Sequence, residues 1–457
     1  MLPINSNIFK AYDIRGIYGQ DFDNELAYLL GLAYIELRKV DPDYLSTKKL
    51  QIAVGSDMRL SSPALKNNLI NGLIAAGADV IDLGTVSTPT FYFAVGHYHY
   101  DGGIMISASH NPKEWNGFKI VRTQGAPVSY ETGLGFLKEK ILTNHFLIAS
   151  APGQIIKNDQ TLKEEMTYTF STVDFNKIKP FKIIADTANG MGATYLEALF
   201  TKLPGELLSL NFKLDGSFPS HEADPLKEEN LQQLKLRVLQ EKADLGIATD
   251  GDGDRIFFVD NTGETINPAI IRGLLAKIFL IDKPGAKIGY DVRPGKITVD
   301  LILENGGQPV VTHVGHSLIK EQMIKENIYF AGESSGHFYL QGEAGCFEYP
   351  GVMILKLLVL FSKANQSVAD YVNQYKKYFS SGEINRTVAD KETVFQKIRT
   401  KYADGQLNEL DGVSVTYPDF WFNVRGSNTE PLIRLNLEAV DQKTMEAKRN
   451  EVLEFIS

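Results

Sequence analysis

Two short stretches of this chain, about 140 residues apart, carry groups that packing does not call for. The first is Gly103 to Ile120, GIMISASHNPKEWNGFKI. Its apolar run Ile104–Ile106 reads as a buried strand that stops at Ser107-Ala108-Ser109-His110. Pro112 biases Asn111 away from the α region, so the chain turns there and Ser109 is offered on a loop beside His110. Lys119 follows in a second apolar stretch, Phe118 to Val121. A hydroxyl, an imidazole and an amine around one loop are parts suited to covalent group transfer. Alone, they would also describe a Ser-rich turn with a surface histidine.

The second stretch favours chemistry. Leu245–Thr249 reads as a strand running into Asp250-Gly251-Asp252-Gly253-Asp254-Arg255. Three carboxylates at alternate positions repel one another and call for a cation, and the intervening glycines let the backbone turn tightly enough for all of them to face it. Hard oxygen ligands favour Mg²⁺. An EF-hand is excluded, because its required Gly and Glu positions, counted from Asp250, hold Arg255 and Asn261.

SASHNP around Ser109, DGDGDR at Asp250–Arg255, GESSGH at Gly332–His337 and RGSNT at Arg425–Thr429 resemble, in order and spacing, the four signature loops of the α-D-phosphohexomutases. The opening FKAYDIRG, Phe9 to Gly16, resembles the start of the phosphomannomutase/phosphoglucomutase branch. The resemblance covers essentially the whole chain. It implies an enzyme that interconverts hexose 1- and 6-phosphates, with mannose and glucose phosphates as substrates and a hexose 1,6-bisphosphate as intermediate and activator.

The resemblance also assigns roles. Ser109 is expected to carry a phosphoryl group, with Asp250, Asp252 and Asp254 holding Mg²⁺ against one of its oxygens. Lys119 is the preferred general base or acid, with a pKa lowered by neighbouring cations. His110 competes for that role or orients the serine loop. Arg15 and Arg255 contact the phosphoryl group or form structural ion pairs. Arg425, Ser427, Asn428 and Thr429 offer many donors to the phosphate that does not react. Glu333 and Ser335 suit sugar hydroxyls, and Tyr12, Arg293 and His316 occupy cleft-lining positions. The chain departs from the branch at Arg293, where lysine is frequent, and at Ser334, where methionine is common.

Other readings fit less well. Phosphoglucosamine mutase usually differs at the positions of Ser334 and Asn428. A haloacid-dehalogenase-type sugar phosphatase would use Asp250 as nucleophile, but its motif wants Thr or Val where Asp254 stands. A P-loop kinase needs Ser or Thr after Gly295-Lys296, where Ile297 stands. A sugar-phosphate sensor without catalysis would not need the nucleophile and metal loops together.

These groups need a large scaffold. The 457 residues suggest two to four domains, with expected spans 1–150, 151–255, 256–367 and 368–457. Hydrophobic content of 43% and charged content of 23% are those of a soluble globular protein. A net charge of −9 argues against nucleic-acid binding and requires local cations for any anionic substrate. No apolar run approaches a membrane span, and the N-terminus lacks the form of a secretory signal. A cytoplasmic, monomeric protein is expected. The lone Cys346 allows no intrachain disulfide and is expected to be a buried apolar residue.

Three segments share a basic residue, a short strand and an Asp: Lys49 to Asp57, Lys182 to Asp186 and Lys287 to Asp291. They read as a weak internal repeat of an α/β unit. Ser62-Pro63 and Asn267-Pro268 open helices with apolar stripes. From about Val368 the pattern changes, and Ile433 to Ala439 alternates like a half-exposed antiparallel strand. The expected architecture is three similar α/β domains with mainly parallel mixed sheets and a C-terminal α+β domain with an antiparallel sheet, around a central cleft.

Overall fold

The computed structural model describes residues 4–42, 44, 48–146, 148–426 and 432–456. The three repeat segments become the strands Gln51–Ser56, Phe181–Asp186 and Lys287–Asp291, and each has a parallel neighbour on both sides. A parallel strand in a sheet covered on both faces is apolar on both, which is why these segments read as short continuous apolar runs.

The first sheet runs Ile14–Ile17, Trp115–Val121, Gly102–Ile106, Gln51–Ser56, Asp79–Thr85, Ile155–Lys157. Its first two pairings are antiparallel and the other three parallel. The second sheet orders Ile256–Asp260, Leu245–Thr249, Phe181–Asp186 and Gly205–Leu210, and the third Gln308–Thr312, Lys287–Asp291, Phe330–Gly332, Phe338–Gly342 and Gly345–Glu348. The fourth, from Phe379–Thr387 through Leu432–Ala439, Phe420–Gly426 and Val413–Thr416 to Gln406–Asn408, is antiparallel throughout. Three mixed α/β sheets and one antiparallel sheet are thus observed, as expected.

The helix signals hold. Ser62–Ala75 begins behind Ser61 with Pro63 in its first turn and buries Leu65, Leu69 and Leu73. Pro268–Asp282 is capped by Asn267, whose side chain accepts from Ala269 N, and buries Ile270, Ile271, Leu274 and Leu275. Pro350–Ala364, the most apolar-rich run of the sequence, is buried within the core shared by the first three units. Among the described residues no helix is long and apolar enough to cross a membrane. Cys346 is buried, and that burial pushes its thiol up to about 12, so it remains a protonated apolar group.

The expected boundaries move. Ile155–Lys157 joins the first sheet beside Asp79–Thr85, so that unit extends past residue 150. Ile256–Asp260 pairs with Leu245–Thr249, so the second sheet continues past Arg255. The helix Val368–Asn373 packs into the core of the first three units, and Ala369 N donates to Asn261 Oδ1 at 2.9 Å. The connection to the fourth unit therefore lies after this helix, not before it as the expected spans 256–367 and 368–457 had it. A turn motif marks where a chain bends, but side-chain burial decides which core the next element joins. The fourth unit has its own core, to which Leu432–Ala439 contributes Ile433, Leu435, Leu437 and Ala439.

Candidate active site

Gly102–Ile106 is buried along its whole length, and its C-terminal end leads into the Ser109 loop. Beyond it Ser109 adopts φ +52°, a left-handed conformation uncommon outside glycine. Ser107 Oγ accepts from Ser109 N at 2.9 Å. Arg59 holds the rest of the loop. Its fully buried guanidinium donates to the carbonyls of Ser109 (2.8 Å), Asn111 (2.6 Å), Pro112 (2.7 Å) and Trp115 (3.0 Å), and Asp57 balances its charge at 3.2 Å. Arg15 braces the same loop through Asn111 Oδ1 at 2.8 Å while pairing with Asp13 at 2.6 Å.

The acidic loop arrives from the second unit. Ser109 Oγ donates to Asp250 Oδ2 at 2.7 Å and lies 3.2 Å from His110 Nδ1. The approach is close enough that a Cβ on Gly251 would lie 2.5 Å from the Ser109 carbonyl, so only glycine fits. Burial, then Asp254 and Asp252, push Asp250 up to about 8. Asp252 accepts from Thr88 Oγ1 at 2.6 Å and Ser107 Oγ at 3.1 Å. The remaining oxygens, Asp252 Oδ1 and Asp254 Oδ1, are buried without a hydrogen-bond partner. Orphaned carboxylate oxygens of this kind suit a hard divalent cation, and Asp250, Asp252 and Asp254 each offer an atom within 4.8 Å of the others.

Lys119 departs from expectation. Its Nζ donates to Asp252 Oδ2 at 2.7 Å and to Asp254 Oδ2. Burial favours the neutral amine, but the two carboxylates outweigh it and hold the ammonium well above its ordinary pKa. The sequence shows the cations near Lys119 but not that two carboxylates lie closer. His110 is the opposite case: burial, then Arg255 and Arg15, keep it neutral.

One cleft of about 280 Å³ joins these groups to the other loops. Tyr12, Arg15, Ser109, His110, Lys119, Arg255, Arg293, His316, Glu333, Ser335 and Arg425 all line it. Asp250, Asp252 and Asp254 lie behind Ser109, buried. Ser427, Asn428 and Thr429 fall outside the described residues. Glu333 Oε2 accepts from Tyr339 Oη at 2.6 Å and Oε1 from Gly315 N at 3.0 Å, so part of its acceptor capacity is already used. The His316 ring packs edge-on against Tyr12, and its buried Nε2 has no hydrogen-bond partner among the described residues. The two departures from the family pattern meet at one carboxylate: Arg293 and Ser334 both bond Asp291, Ser334 through Oγ at 3.1 Å and Arg293 Nε at 2.8 Å.

Four groups went unassigned in the sequence. Arg59 stands two residues after the Asp of the first repeat. His337 ends the GESSGH loop and accepts from Arg255 Nε at 3.1 Å, which places the ring proton on Nδ1, facing Asp254 and Glu348. Arg434 lines the cleft from the strand beside Arg425, and Glu383 bonds both arginines. Among the described residues, Arg255 Nη1, Arg425 Nε and Arg434 Nε are buried donors without a hydrogen-bond partner, Arg255 Nη1 lying 4.0 Å from Asp224 Oδ1. Guanidinium donors free of hydrogen bonds on the walls of a cleft suit an anion.

Fold and site together define a class. Profiles described as phosphoglucomutase/phosphomannomutase α/β/α domains I, II and III and C-terminal domain match residues 6–140, 163–263, 267–378 and 383–455. The chain belongs to the phosphoglucomutase/phosphomannomutase family. A phosphomannomutase of Escherichia coli is 37% identical over 460 residues, covering 98% of both chains. One from Methanocaldococcus jannaschii is 38% identical, covering 98% of this chain and 97% of its own. A family member from Burkholderia thailandensis superposes with a TM-score of 0.87 at 31% identity, over 99% of this chain and 98% of that one.

Proposed function

We propose that this protein is a phosphohexomutase that interconverts hexose 1-phosphate and hexose 6-phosphate, with mannose and glucose phosphates as substrates. The observation that carries the reading is one nucleophile in one cleft with unpartnered guanidinium donors on its walls: Ser109 and Arg255 on one side, Arg425 and Arg434 from the fourth unit on the other. A phosphatase needs only the first set. An enzyme that must hold a sugar by one phosphate while the other reacts needs both. The phosphomannomutase names of the E. coli and M. jannaschii relatives support the choice of sugar.

In this reading phosphorylated Ser109 donates its phosphoryl group to the free end of a bound hexose phosphate. The resulting 1,6-bisphosphate turns over, and Ser109 recovers a phosphoryl group from the other end. Bound Mg²⁺, held by Asp250, Asp252 and Asp254, would neutralise phosphoryl charge and stabilise the serine alkoxide as leaving group. Arg15 and Arg59 fix the loop so that Oγ faces the cleft. Arg255 supplies charge to the phosphoryl oxygens. Glu333 and Ser335 orient sugar hydroxyls. Lys119, held charged by Asp252 and Asp254, suits donation of a proton to the serine alkoxide or neutralisation of charge better than removal of a proton. His110, kept neutral, is the better base.

The dehalogenase-type alternative places the nucleophile on Asp250. That carboxylate is buried behind Ser109 and is not among the residues lining the cleft, which favours the serine. The deciding measurement is kcat/KM for mannose, glucose and glucosamine 1-phosphates, with inorganic phosphate followed in parallel. Isomerisation without phosphate release supports the mutase. Stoichiometric phosphate release, or no turnover, overturns it.

A further inference from the structure

Arg425 and Arg434 stand directly opposite each other on neighbouring antiparallel strands. A like-charge cross-strand pair is destabilising by itself. Burial, followed by Arg293 and Arg434, shifts Arg425 below its ordinary value. Some anion must balance this pair. In the structure it is Glu383: Oε2 accepts from Arg425 Nη2 at 3.0 Å and from Asn436 Nδ2 at 3.4 Å, and Oε1 from Arg434 Nη1 at 3.2 Å. Burial disfavours the Glu383 carboxylate, but Arg425 and Arg434 outweigh it and hold it ionised.

A backbone irregularity brings Glu383 there. Ser380 pairs with Glu438 and Glu383 with Asn436, so Ser381 and Gly382 face the single residue Leu437. Gly382 takes φ +66°, and Ser381 Oγ accepts from Leu437 N at 3.0 Å. In a regular ladder Glu383 would pair with Leu435 and point into the apolar core, and Ile384 would point out. The bulge reverses both, placing Glu383 on the face of Arg434 and Asn436. The same shift keeps Ile384 against the apolar core.

We propose that Glu383 is a positioning residue: a resident counter-ion that holds Arg425 and Arg434 together and competes with substrate phosphate for them. Among the described residues, both arginines keep a buried Nε–H without a hydrogen-bond partner, so an incoming phosphate has donors to take before Glu383 lets go. When phosphate leaves, Glu383 restores the charge balance. Resting on the mutase reading, this means that the grip on the non-reacting phosphate is weakened on purpose: a bisphosphate bound too tightly could not release one end and present the other.

The test uses the full-length protein with inorganic phosphate as probe, by calorimetry, and then steady-state kinetics. Glu383→Gln keeps the shape and an acceptor oxygen but removes the charge. It is expected to bind phosphate about fivefold more tightly, the scale of one partly exposed ion pair. The KM for hexose 1-phosphate should fall by a similar factor and kcat should fall with it. In an Arg425→Ala background the gain in phosphate affinity should vanish, which localises it. A residue that merely props the arginines would give the reverse, weaker phosphate binding and a raised KM; that result, or unchanged affinity, overturns the proposal. Phosphate affinity is read without turnover, so a wild-type protein that fails to isomerise hexose phosphates would sink the mutase reading and leave this measurement intact.

Discussion

Ser109 Oγ donates a 2.7 Å hydrogen bond to Asp250 Oδ2, a contact between residues 141 positions apart. It joins the end of a strand in the first sheet to the end of a strand in the second. The juxtaposition of Ser109 with the acidic loop therefore depends on how two units pack.

The first prediction concerns Ser109. Intact mass of freshly purified protein should show a fraction carrying one phosphate, and peptide mapping should place it on Ser109. Incubation with glucose 1,6-bisphosphate should raise that fraction and abolish any lag in turnover. Ser109→Ala should show neither. An acid-labile acyl phosphate trapped on Asp250 would contradict the assignment.

The acidic loop should require a divalent cation. Excess EDTA should abolish turnover and added Mg²⁺ restore it. Asp252→Asn should lower kcat by roughly a thousandfold, because phosphoryl transfer depends on charge neutralisation. Undiminished activity in EDTA would remove the loop from the chemistry.

Arg59 should matter twice. Arg59→Ala frees four backbone carbonyls of the Ser109 loop and leaves Asp57 buried without its cation. A broken buried pair costs on the order of 3–5 kcal/mol, so the urea midpoint should drop. Arg59→Lys keeps the charge but not the fork. It should recover much of the stability while kcat stays depressed, since one ammonium cannot satisfy all of those acceptors. Full kcat in the lysine variant would show that loop geometry does not depend on the guanidinium.

A pH effect on stability should come from Glu165. It is buried, accepts from Thr90 Oγ1 at 2.6 Å, and burial raises its pKa from 4.5 to about 7. The folded state then keeps a proton that the unfolded chain releases over that range. The stabilising contribution is complete below the unfolded value and is lost as pH rises toward the folded one. The loss reaches at most about 3 kcal/mol. Glu165→Gln should melt close to wild type at pH 4 and above it at pH 8. Parallel melting curves across that range would refute the buried-acid reading.

Arg425→Ala should weaken binding of both 1- and 6-phosphates, because either end of the hexose uses the same cations when the other end reacts. More bisphosphate should escape before the second transfer, while Ser109 phosphorylation stays unchanged. Kinetics in both directions, with released bisphosphate measured alongside, check this. Impairment of one direction alone would argue against a shared phosphate site.

What the sequence by itself determined was local. The Ser109 loop and the Asp250–Asp254 loop were legible because their residue types and spacing have a chemical reason, while Glu333 and Arg425 entered through the resemblance of their loops to a known family. The central strands were legible because parallel strands covered on both faces are apolar on both. Tertiary structure decided everything that depends on which surfaces meet. Lys119 was expected to be depressed by cations, yet Asp252 and Asp254 lie within hydrogen-bond reach and raise it. Arg59 had no role in the sequence until the fold brought four carbonyls to it. Ile155–Lys157 and Ile256–Asp260 crossed the expected domain edges because strand pairing, not turn composition, assigns an element to its sheet. Glu383 reached Arg425 only through one extra residue in a strand. Spacing along a chain encodes periodicity, and a bulge or a domain contact breaks periodicity, so such relationships exist only once the chain has folded.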